Sequence, residues 1–152
     1  MVLQTHEDFV AFGGNEKQED FNDTSTVIKV EFDGKSFLLL GDINKNGEAQ
    51  LLKHYTSKTL KSDIVQAAHH VFNMLNYIYD VANPKYIVAP TRPEGKTNSD
   101  KYKYQRLILS CGEENVFYAC EEGTHGFAVQ NGSLERFYHE ELKGTQYDGS
   151  DL

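Results

Sequence analysis

The sequence is poor in three things, and each shortage narrows what the chain does. It has two cysteines, Cys111 and Cys120, with no Cys-x-x-Cys spacing. That argues against a disulfide framework or a zinc knuckle and reads as two buried free thiols. Cations are scarce: 15 Lys and Arg against 23 Asp and Glu leave a formal charge of −8. A clustered basic surface that displaces counterions from a phosphate backbone is missing, so no nucleic acid is expected as a partner. No apolar run reaches the length of a bilayer span, and the amino terminus has no basic-then-apolar leader. No membrane partner is expected, and the cytoplasm is the default location unless a targeting segment has been lost.

What is present suits one domain. The 152 residues are 39% hydrophobic and 12% aromatic, enough for a single core. Thr24 to His70 is the most informative stretch. Thr26 to Phe32 is rich in β-branched and aromatic residues, and Asp33-Gly34 followed by Lys35 to Leu40 completes a hairpin signal, because Asp-Gly takes the positive φ angles of a tight primed turn. Ser36 to Leu40 is apolar without alternation, as in a central strand covered on both faces. It ends in Gly41-Asp42, a helical segment from Asn46 to Tyr55 follows, and the next strand, Asp63 to Ala68, ends in His69-His70. A β-α-β crossover makes these two strands parallel, so Asp42 and both histidines emerge at carboxyl ends on one edge. Neighbouring strands lie about 5 Å apart, close enough for a carboxylate and an imidazole to share a cation or substrate group. The plainer alternatives are an Asp42 that caps the next helix or turn, and a buried histidine bonded to backbone beside an exposed one.

Residues 1 to 23 read as a loop-rich lead-in after a short possible strand at Val2 to Thr5, with a turn at Asn22 to Ser25. Val71, Met74, Leu75, Ile78, Tyr79 and Ala82 form a helical stripe that packs on the sheet, and Asn83-Pro84 stops it before a buried strand at Tyr86 to Ala89. Pro90 to Ser99 reads as a solvated loop at a carboxyl end, where Thr91 and Arg92 are the residues able to face a substrate. The next helix places Tyr104, Leu107, Ile108 and Cys111 on one face, with Lys101, Lys103 and Arg106 exposed. Val116 to Cys120, Gly126 to Val129 and Ser133 to Tyr138 read as an edge meander, with His125 in an exposed turn. Residues 140–152 are polar and expected to fray.

The run NDTSTVIKVEFDGKSFLLLGD, followed by SDIVQAAHH, resembles the C-terminal half of metallo-β-lactamase fold hydrolases, in particular the branch containing the hydrolase-like domain of DNA-internalisation competence proteins. The resemblance covers most of the chain, through Asn83-Pro84-Lys85 and the turn at Asn131-Gly132. It implies an α/β fold: a mixed β-sheet with helices on one face, forming half of an αββα sandwich over residues 1–139. It also implies that Asp42 bridges two metal ions, zinc or another divalent metal, and that His69 or His70 is the last ligand, the doublet tolerating a one-residue shift. The family's other half carries a His-x-His-x-Asp-His loop. Here His6, His54, His125 and His139 stand singly, and Val71-Phe72-Asn73 follows the doublet where a glycine and a small polar residue are expected. One or two histidines and one carboxylate bind a cation weakly. The expectation is a partial or degenerate metal-dependent hydrolase domain, inactive alone and possessing no certain catalytic residue. Its partner is the missing N-terminal half or a second copy of itself; in the latter case the chain is a non-enzymatic homodimerising module.

Overall fold

A computed structural model describes residues 1–14, 21–71, 77–91, 101–118 and 124–139. Strand β1 (Val2–Gln4) leads into helix α1 (His6–Ala11), and a 3-10 turn (Phe21–Thr24) precedes β2 (Val27–Phe32) and β3 (Lys35–Leu39). Asp33 and Gly34 join the last two at φ 47° and 72°, the two left-handed positions of a primed hairpin turn. Then come α2 (Lys45–His54), α3 (Ser57–Leu60), β4 (Ile64–Gln66), a 3-10 turn (Ala68–Val71), α4 (Tyr77–Ala82), β5 (Tyr86–Ala89), α5 (Lys101–Cys111) and β6 (Val116–Tyr118). Six strands form one mixed sheet in the order β1-β2-β3-β4-β5-β6, antiparallel up to β3 and parallel from β3 onward. The α/β expectation with a mixed sheet is met.

Strand alternation sorts the apolar residues into two cores. Leu38, Val65, Ile87, Ala89 and Val116 point to the helices, where Leu51 of α2, Leu60 of α3, Ile78 and Tyr79 of α4 and Leu107 of α5 meet them. Phe37, Ile64, Tyr86, Val88 and Phe117 point the other way, onto Phe127, Val129 and Leu134. Those three belong to a separate hairpin, β7 (Thr124–Gln130) and β8 (Ser133–His139). A period of 2 puts neighbours on opposite faces, so one strand such as Tyr86-Ile87-Val88-Ala89 supplies both cores.

Several local expectations are corrected. The lead-in holds a helix: Thr5 and Asp8 form a reciprocal capping box at the start of α1, a signal carried by the Thr-x-x-Asp spacing. The strand expected through Ala68 stops at Gln66, and the helix expected from Val71 is described only from Tyr77. The last three strands are no meander, since β6 joins the main sheet parallel to β5 while β7 and β8 pair apart from it. His125 lies in β7 opposite Tyr138, its ring 5.4 Å from that of Phe117 and its Nδ1 3.3 Å from an Arg136 nitrogen. Arg106 is not merely solvated; it donates to Asp80 at 2.6 Å and lies over the Tyr77 ring. Cys111 is a half-buried free thiol, pushed up to about 11 by burial, with Glu114 adding to the rise. Arg92, Cys120 and residues 140–152 lie outside the described residues.

Candidate functional site at the carboxyl rim of β3 and β4

The site begins with strand register. Phe37, Leu38 and Leu39 pair in parallel with Ile64, Val65 and Gln66, so the segments leaving β3 and β4 share one rim. Gln66 ties them together: its Oε1 accepts from the Leu40 and Gly41 amides at 3.0 and 2.9 Å, and its Nε2 donates to the Gly41 carbonyl at 3.3 Å. The His69 amide donates to the same carbonyl at 3.1 Å. Gly41 sits at φ 59°, and a Cβ there would come within 3.1 Å of the Ser25 side chain, so both backbone angle and space call for glycine.

Asp42 follows immediately and is half-buried. It does not cap α2. The N-cap residue is Asn44, whose side chain makes no capping bond, and the helix start is met by a carboxylate from far upstream. Buried Asp23 accepts from the Asn44 and Gly47 amides at 3.1 and 2.7 Å through Oδ1, and from Asn46 Nδ2 at 2.9 Å through Oδ2. An anion at those amides satisfies orphan donors and complements the helix dipole. Asp23 was legible only as a turn residue, because its capping targets lie more than twenty positions on.

The two histidines have different environments. His69 is half-buried and held at both ring nitrogens: Nδ1 meets the Oδ1 of buried Asn44, and Nε2 meets Asn22 Nδ2 at 3.2 Å. An oxygen on one side and an amide nitrogen on the other assign the neutral Nδ1–H tautomer. His70 is exposed, and its Nδ1 donates to the Pro90 carbonyl. A backbone carbonyl on one imidazole nitrogen is the arrangement that orients the other for a metal or a proton. The segment is strained: His69, His70 and Val71 lie at φ 43°, 51° and 70°. For a β-branched residue such as Val71 that is a true outlier.

A metal fits this rim poorly. Among the described residues no three His, Cys, Asp or Glu side chains form a group able to hold an ion. Asp42 makes no hydrogen bond to the described residues, and His70 has Nε2 to offer, whereas a ligating His69 would have to give up an asparagine. Two donors leave a cation mostly to water. His54 serves elsewhere, stacked on Phe12 at 3.9 Å. Thr91, half-buried at the end of β5, donates its amide to the Ala89 carbonyl. Among the described residues no helix is long and apolar enough to cross a membrane. No family model, curated protein or solved structure matches the chain.

Proposed function

We propose that the chain is the C-terminal half of a metal-dependent hydrolase domain of the metallo-β-lactamase superfamily, unable to hydrolyse alone, with Asp42 and His70 as the remnant of its metal site. The observation that carries this reading is the shared carboxyl rim, where the His69 amide is bonded to the Gly41 carbonyl and the segments bearing Asp42 and His70 are therefore adjacent. The segment after the doublet departs from the resembled pattern, with Val71-Phe72-Asn73 where a glycine and a small polar residue are expected, yet Val71 keeps a left-handed backbone of the kind glycine adopts. In such a domain a metal pair lowers the pKa of a bound water and stabilises charge on a phosphoester or related substrate. This chain supplies one carboxylate and one oriented imidazole, and the missing ligands would come from the N-terminal half. Equilibrium dialysis against zinc tests it. The purified chain is expected to bind zinc weakly, and Asp42→Asn or His70→Ala to remove that binding while His54→Ala leaves it. Zinc binding insensitive to both rim substitutions would end the proposal.

A homodimerising module is the second reading, favoured by the part of the helix-free face that the hairpin leaves bare. Val2 is 55% exposed, Val30 47% and Phe32 72%, beside half-buried Ile28, Phe37 and Leu39. Cross-strand pairing puts all six on one face, where Lys35 is the charged neighbour. Three strands about 4.8 Å apart and about five residues long offer roughly 250 Å². A standard interface buries about 800 Å² per partner, so pairing through this patch alone is weak. Sedimentation at rising concentration is expected to show reversible dimers that Phe32→Lys abolishes. A monodisperse monomer throughout would remove this reading.

A further inference from the structure

The opposite rim, at the amino ends of β3, β4 and β5, holds a surface groove of about 370 Å³ whose charge runs against that of the chain. Lys58 and Lys61 come from α3 and its end, and Lys85 precedes β5. Against these three lysines stands one carboxylate, Asp63, and it is occupied: its Oδ2 accepts from the Ser36 amide at 2.9 Å and from the Ser36 hydroxyl at 3.1 Å. Among the described residues none of the three lysines forms a salt bridge. All three are exposed, although Lys85 also reaches the Leu134 carbonyl at 3.4 Å and lies over the Tyr86 ring.

In a chain carrying a formal charge of −8, three cations crowded into one concavity are not explained by general solubility. Lys58 and Lys61 are three apart at a single helical turn, a spacing at which like charges repel. Asn83, held at φ 45° on the groove wall, has a side-chain amide that bonds to no described residue. The adjoining depression at the β2–β3 turn carries mixed charge, with Glu31 and Asp33 beside Lys35, and Glu31 is paired with Lys29 at 3.2 Å. Besides the lysines, Asp63 and Asn83, the lining consists of Gly34, Ser36 and Ser62.

We infer that this groove binds a compact, multiply charged phosphate anion, with Lys58, Lys61 and Lys85 as counter-charges and Asn83 as a hydrogen-bond donor. Lysine ammonium groups act as point charges that suit phosphate, and the volume lies in the range of small-molecule sites. The site does not depend on the hydrolase reading, since it shares no residue with the carboxyl rim.

The test is titration with tripolyphosphate, followed by amide chemical shifts and calorimetry. Saturable binding is expected, with shifts at Ser36, Ser62 and Asn83. Lys58→Gln with Lys61→Gln should weaken it at least about tenfold, a loss of about 1.4 kcal/mol. Lys45→Gln, at the start of α2 on the other rim, should change it less than about twofold, because the rims are separated by about five residues of strand, roughly 16 Å, beyond the 10 Å or so over which exposed charges act at 0.1 M salt. Non-saturating shifts, a loss with Lys45→Gln equal to that with Lys58→Gln alone, or citrate binding as tightly as tripolyphosphate would overturn the assignment. Unchanged far-UV circular dichroism in all variants keeps the comparison on binding.

Discussion

Asp23→Ala is expected to cost about 3–4 kcal/mol of folding stability, the largest single-residue effect outside the apolar core, because buried donors lose a charged acceptor. The carboxylate is fully buried and is the acceptor for the Asn44 and Gly47 amides and the Asn46 side chain. The methyl group of alanine replaces none of this at a position that is 0% exposed. For a chain of this size 1 kcal/mol is worth about 2–4 °C, so the melting temperature should fall by roughly 10 °C. Asp23→Asn keeps one acceptor oxygen and should cost about half as much. Thermal denaturation of the two variants checks both the size and the order. A fall of less than about 1 kcal/mol for alanine would mean that the upstream turn does not hold α2.

His69→Ala should destabilise the fold by about 2 kcal/mol, while His70→Ala stays within about 0.5 kcal/mol. Adjacent and chemically identical, the two residues differ only in what surrounds them. His69 joins the turn bearing Asn22 to buried Asn44 at the start of α2. Among the described residues exposed His70 has the Pro90 carbonyl as its hydrogen-bond partner and the edge of the His69 ring beside it. Urea denaturation of both alanine variants measures the contrast, and equal losses would contradict it. The same contrast bears on function: a histidine that staples loops is poorly placed to release a nitrogen to a metal, and one anchored, among the described residues, through Nδ1 is well placed.

The parallel pair β3 and β4, and with it the shared rim, was legible because a β-α-β run has one common solution. A primed turn at Asp33-Gly34 fixed the hairpin, and the crossover through α2 forced the strands to run the same way. Tyr86 to Ala89 was legible as a buried strand for the same reason, an apolar run bounded by Asn83-Pro84 and Pro90. What sequence could not separate was His69 from His70. Their roles are set by Asn22 and Asn44, 47 and 25 positions away, and by left-handed φ angles that nothing in Ala-His-His-Val announces. Asp23 was hidden likewise, since a helix capped from another segment leaves no local signature. The placement of β7 and β8 was missed because alternation shows that a strand has two faces and not which sheet it joins.

His69 is a structural staple, while His70 shares the rim with Asp42. Long-range nitrogen–proton NMR spectra of the imidazole rings, recorded with and without zinc, distinguish the two roles. The expected result is an Nδ1–H His69 whose nitrogens do not respond to zinc and a His70 whose Nε2 does, with the response lost in Asp42→Asn. A His69 ring that moves first, or a zinc response at neither residue, would contradict it.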